Sequence, residues 1–149
     1  MSLPDTVHAS AALVGEKGVL IRGASGSGKS SLVLALIDDD PARNALVADD
    51  RVALAVANGR LLAAAAPGLK GLIEVRGQGI LPRSHVSPVV IDLVVDLAPD
   101  SDCPRLPEPA DTTAILAGIQ IPRVLMPSGA GDKSLRIRHT LFAVRRGNA

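Results

Sequence analysis

At 149 residues, with 16 basic against 15 acidic side chains and a net charge of +1, the chain fits one compact domain over residues 1–149. So even a balance excludes a strong electrostatic field for nucleic acid or membrane, and with Phe142 as the only aromatic there is no platform for stacked bases. Cys103 is the only cysteine, which excludes an internal disulfide framework or a cysteine metal site and points to a reducing compartment.

The N-terminus carries no signal-type apolar core, and no apolar run reaches membrane-spanning length, so the expectation is a cytoplasmic protein. In chain order, Ala11 to Val14, the polar turn Gly15 to Gly18 and Val19 to Arg22 predict a β-hairpin. The hairpin runs into Gly23-Ala24-Ser25-Gly26-Ser27-Gly28-Lys29-Ser30, which matches the phosphate-loop pattern G-x-x-x-x-G-K-[ST] without a mismatch. Ser31 to Ile37 predicts the helix that leaves the loop, ended by Asp38-Asp39-Asp40-Pro41. Strand, loop and helix in this order turn backbone N–H groups inward as an anion nest at a helix N-terminus. Lys29 is then placed to reach the β- and γ-phosphates and the Ser30 hydroxyl to bind Mg²⁺, so the chain is expected to bind a nucleoside triphosphate. The bland alternative is a glycine-rich turn without a ligand.

Ala45 to Ala48 predicts a short apolar strand stopping at Asp49-Asp50. Val52 to Val56 and Leu61 to Ala65 flank Asn58-Gly59, a strong hairpin signal. Ile73 to Ile80 holds Glu74-Val75-Arg76-Gly77-Gln78-Gly79, and Val89 to Leu97 predicts a long strand containing Asp92 and Asp96. Residues 98–111 are rich in proline and read as an exposed loop, and Asp132 to Val144 reads as a final amphipathic helix with Leu135, Leu141, Phe142 and Val144 as its apolar positions. The fold class is α/β, a mixed β-sheet core around the phosphate loop with flanking helices.

Phosphoryl transfer needs a metal carboxylate and a group that deprotonates the nucleophile. Asp49 and Asp50 stand where a strand parallel and adjacent to the loop strand would deliver such acids; they equally read as a pair opening a hairpin. Glu74 and Arg76, two residues apart, share a face if both lie on a strand, pairing a metal carboxylate with a phosphate-binding guanidinium. The alternative is a solvent-facing salt bridge. His8, near the N-terminus, reads by itself as a surface histidine, and Arg105 as a solvated loop arginine. His85 and His139 have no partners at metal spacing.

His8, the loop from Gly23 to Ser30, Val47-Ala48-Asp49-Asp50 and Ile73-Glu74-Val75-Arg76-Gly77-Gln78-Gly79-Ile80 follow one another in the order seen in the catalytic domain of HPr kinase/phosphorylase, which this chain closely resembles. The resemblance runs from His8 to Ile80 and more loosely to Pro122. It implies an ATP- and Mg²⁺-dependent protein-serine kinase whose substrate is HPr, the phosphocarrier of the phosphotransferase system. Lys29 would contact the transferring phosphoryl group, and Ser30 with Glu74 would bind Mg²⁺. Asp50 would accept the serine proton with Asp49 in support, while His8 and the Arg105 of Arg105-Leu106 would join the active site. The resemblance also implies a homo-oligomer, a hexamer in the family's form, and a short form without the family's usual N-terminal domain. Ile121 to Pro127 and Gly129-Ala130-Gly131 depart from the family's arginine- and glycine-rich segment, so the reverse phosphorylase activity does not carry over. A small-molecule phosphate-loop kinase and a non-catalytic nucleotide-binding regulatory module are the alternatives.

Overall fold

The computed structural model describes residues 6–128 and 133–147, with side chains up to Leu141; Gly129, Ala130, Gly131 and Asp132, and the side chains of Phe142 and Val144, lie outside the described residues. The expected hairpin forms from β1 (Thr6–Val14) and β2 (Lys17–Arg22), antiparallel about Gly15 and Glu16. The phosphate loop leads into α1 (Lys29–Asp39), and β3 (Ala45–Ala48), β4 (Arg51–Ala57) and β5 (Arg60–Ala65) follow. The turn between β4 and β5 has Asn58 and Gly59 both at positive φ, the backbone that an Asn-Gly hairpin demands. β6 (Leu72–Val75) and β7 (Gly79–Pro82) form a separate two-stranded sheet. β8 (Val89–Ala98) is the long strand.

The proline-rich stretch holds one short 3₁₀ turn, Asp100–Asp102, and ends in a second, Pro109–Thr112. Beyond them, β9 (Thr113–Leu116) and β10 (Ile119–Pro127) form a hairpin that the sequence reading did not anticipate. Its turn places Ala117 at positive φ beside Gly118, and two prolines stand in β10, so neither carries an ordinary strand or turn signature. The chain closes with α2 (Lys133–Gly147).

The large sheet is mixed, as expected. β8 runs parallel to β2 on one side and to β10 on the other, while β1, β4 and β5 run antiparallel to their neighbours. The pairings β1–β2, β2–β8, β8–β5, β5–β4 and β4–β1 close a circuit, so the β4–β5 hairpin folds over one face of the sheet. Side-chain alternation fills both layers. Val19, Ile21, Leu93 and Val95 point towards Leu32, Val33 and Leu36 of α1 and Ile137 of α2, whereas Leu20 and Val94 point towards Val52, Leu61 and Ala63 of the hairpin. Burying both faces of β2 and β8 accounts for their continuous aliphatic runs.

One expectation is corrected. β3 is not adjacent to the loop strand β2: β1 lies between them, antiparallel to both. β2 and β3 still point the same way, so their C-terminal ends share one edge of the sheet. The start of β1 arrives at that edge as well, because β1 runs in reverse.

Asp96, on β8, accepts hydrogen bonds from Arg22 at 2.7 Å and from Arg123 of β10 at 2.5 Å. Burial pushes its carboxyl upward, but the hydrogen bonds and charges of Arg22 and Arg123 outweigh this and hold it below the usual carboxylate range. A lowered folded-state pKa adds stability above the unfolded value near 3.8, and that stability is lost as pH falls through the folded one. Asp96→Asn is therefore expected to cost about 1.5–3 kcal/mol at neutral pH, with the gap to the parent closing below pH ~4, measured by urea unfolding across pH.

Candidate active site

The phosphate loop sits between β2 and α1 with its backbone set by two glycines of different kinds. Gly28 caps α1 in the left-handed region at φ 100, where any side chain would be strained. Gly23 is needed for space: a Cβ there would stand 2.5 Å from Ser27 Oγ and 3.1 Å from the Leu97 carbonyl oxygen. The Lys29 ammonium donates to the carbonyls of Gly23 and Ala24 at 2.8 and 3.1 Å, which holds it across the loop. Gly23→Ala is expected to weaken ATP affinity by roughly 10-fold or more, about the cost of 1.4 kcal/mol of loop distortion, read by nucleotide titration.

The acids occupy the corner where β3 ends and β4 begins. Both of these strands pair with the same edge of β1, β4 with Thr6 to His8 and β3 with Ala11 to Leu13. Asp49-Asp50 spans the break between them. Asp50 adopts φ 67, a left-handed conformation that aspartate tolerates better than most residues. That backbone turns the two acids to different surroundings.

Asp49 is 7% exposed and serves as a hub. Its Oδ1 accepts from the hydroxyls of Ser10 at 2.8 Å and Ser30 at 2.7 Å, and its Oδ2 from the Glu74 backbone N–H at 3.1 Å. Asp50 faces outward, 68% exposed, with Oδ1 2.9 Å from His8 Nε2. The Nε2–H tautomer donates to it. Asp49 thus ties the phosphate loop, β1 and β6 together, while Asp50 keeps acceptor capacity open to the cavity.

That cavity, of about 250 Å³, is lined by His8, Ser10, Lys29, Ser30, Asp50, Glu74 and Arg76, together with Ser25, Gly26, Gly28 and Ser31. The structure therefore brings His8, the loop, Asp49-Asp50, Glu74 and Arg76 into one place. Arg76 reaches it differently from expected: β6 ends at Val75, so Arg76 sits on the turn before β7, not on a shared strand face with Glu74. Arg105 is not brought in. It lies exposed between the two 3₁₀ turns and is not among the residues that line the cavity. Ser10 and Ser31 were missed. Ser10 could have been found, because it is a polar residue in an alanine-rich strand two positions from His8 and so on its face.

A larger cavity, about 320 Å³, lies beside Lys17, Arg43 and Arg138 at the far end of α1. It contains no loop residue and neither acid of the pair, so convergence of chemistry favours the smaller one as the site.

The donors fit a nucleotide and Mg²⁺. Backbone N–H groups open α1, Lys29 crosses the loop, and Ser27 Oγ is buried with no hydrogen-bond partner among the described residues. Ser30, Asp49 and Glu74 present oxygen only, the donor type Mg²⁺ prefers, and no cluster of three or more His, Cys, Asp or Glu is placed to hold an ion alone among the described residues. No described helix is long and apolar enough to cross a membrane.

Fold and site define a class: a mixed-sheet α/β domain with three carboxylates, a histidine and an arginine gathered at a phosphate-loop sequence. The HPr Serine kinase C-terminal domain family matches residues 1–142, and the chain belongs to that family. An HPr kinase/phosphorylase of Mycoplasma mycoides subsp. mycoides SC is 33% identical over 150 residues, which covers 91% of this chain and 46% of that protein. One from Aromatoleum aromaticum is 38% identical over 149 residues, covering 86% and 45%. The solved Hpr(Ser) kinase/phosphatase of Coxiella burnetii matches with a TM-score of 0.82 at 30% identity, covering 96% of this chain and 92% of that one. The chain spans less than half the length of these two curated relatives.

Proposed function

We propose that this chain is an ATP- and Mg²⁺-dependent kinase that phosphorylates a serine of HPr. The observation that carries this reading is the division of labour at the corner: Asp49, buried, bonded to the Ser30 hydroxyl, and Asp50, exposed at the cavity mouth and bonded to His8. Ser30 donates its proton to Asp49, which turns an oxygen lone pair towards the cavity. With Glu74, it would hold Mg²⁺, whose charge, when bound, neutralises the β- and γ-phosphates. Lys29 and Arg76 add fixed positive charge where negative charge gathers on the transferring group.

Asp50 accepts the proton of the attacking serine hydroxyl as its oxygen bonds to the γ-phosphorus. The bond from that phosphorus to the β–γ bridging oxygen breaks, and ADP leaves with the electron pair. His8 orients the Asp50 carboxylate. Residues 1–149 act as one catalytic domain, and the same reading carries a homo-oligomer and a cytoplasmic location. Only the forward reaction is assigned.

Incubation with γ-labelled ATP, Mg²⁺ and HPr tests the proposal. Label on an HPr serine supports it. Label confined to small metabolites would instead identify a small-molecule kinase, and nucleotide binding without transfer a regulatory module.

A further inference from the structure

We infer that Ser10 is a positioning residue that sets both acids of the site, an inference that rests on the kinase reading above. Ser10 is fully buried in an otherwise aliphatic stretch of β1, where an unpaired hydroxyl would be costly and alanine would pack well. Its hydroxyl is used twice. It donates to Asp49 Oδ1 at 2.8 Å and accepts the Asp50 backbone N–H at 3.3 Å.

Its place in the topology accounts for this. β1 exchanges β4 for β3 along one edge between His8 and Ala11, and Ala9-Ser10 fills the gap that the Asp49-Asp50 corner leaves in the ladder. There the Ala9 N–H donates to the Asp50 carbonyl, and the Arg51 N–H donates to the Asp49 carbonyl at 2.8 Å. Ser10 supplies the side-chain half of the same lattice. Asp50 stands in a left-handed conformation that most residues avoid, and such a backbone persists only when its surroundings over-determine it.

The two bonds therefore do separate things. The donated one shares Asp49 Oδ1 with Ser30 and fixes the carboxylate beneath the loop. The accepted one pins the Asp50 amide, and with it the direction of the outward carboxylate and its contact with His8. Ser10 lines the cavity, but its hydroxyl is occupied by the acids and takes no proton from the substrate.

The test compares Ser10→Ala and Ser10→Cys with Ser10→Thr. Cysteine fills the serine volume with a poor hydrogen-bonding group, so it separates loss of the bonds from loss of packing; threonine keeps the hydroxyl. Alanine and cysteine are expected to lower kcat by roughly 10-fold or more while KM for ATP moves less than about threefold, with threonine restoring most of the rate. Hydrogen exchange at the Asp50 amide, followed without substrate, is expected to quicken by roughly 10-fold in the same two variants. An unchanged kcat in both variants overturns the inference, as does unchanged exchange at Asp50. Failure of the parent protein to label HPr would defeat the kinase reading instead, and the amide exchange would still judge the placement of Ser10.

Discussion

Asp50→Asn is expected to bind ATP about as well as the parent and to transfer phosphate at least roughly 100-fold more slowly, the usual size of a general-base effect. The reason is where Asp50 sits. It is exposed, outside the phosphate cradle, and its Oδ1 contacts His8 and none of the loop residues. The amide oxygen of asparagine can still accept from His8, so the corner should keep its shape. What is lost is the basicity needed to take a proton from serine. Steady-state kinetics on HPr, with nucleotide affinity measured separately, decides the matter: undiminished turnover would remove Asp50 from its role.

Asp49→Asn should behave differently, because it strikes binding and rate together. The side-chain amide brings an N–H₂ group to a position surrounded by donors: two serine hydroxyls and the Glu74 N–H. One oxygen remains where two accepted before, so at least one donor is left buried without a partner or must turn away. Ser30 then loses the acceptor that orients it. Mg-ATP affinity is expected to fall by roughly 10–100-fold, as for groups that orient metal ligands, and transfer by a further factor. Titration with ATP in the presence and absence of Mg²⁺ checks this. The parent should show a strong metal dependence and the variant little, whereas equal metal dependence in both would place the cation elsewhere.

The contrast between the two acids also shows what could be read from residues in a row. The phosphate loop was legible because its function is local: a strand, a fixed glycine pattern, Lys29, Ser30 and a helix occupy consecutive positions. The β4–β5 hairpin was legible for the same reason, since Asn58-Gly59 writes its turn into adjacent residues. β9 and β10 were not. Their turn uses Ala117 at positive φ, and Pro122 and Pro127 stand in a strand whose pairing with β8 is long-range. Arg76 lines the cavity beside Glu74 from a turn, where residues in a row suggest a shared strand face.

By itself the sequence determined that a phosphate-loop pattern stands between a strand and a helix, that acids follow an apolar strand, and that the motifs come in the order of the HPr kinase family. These are properties of neighbouring residues, governed by local backbone preference and hydrophobic pattern. Only the tertiary structure decided that Asp49 turns in and Asp50 out, that His8 and Ser10 meet them, and that Arg105 is not among the residues lining the cavity. Those outcomes depend on β1 running backwards between β2 and β3 and switching partners at Ala9-Ser10, a long-range pairing that consecutive residues cannot express.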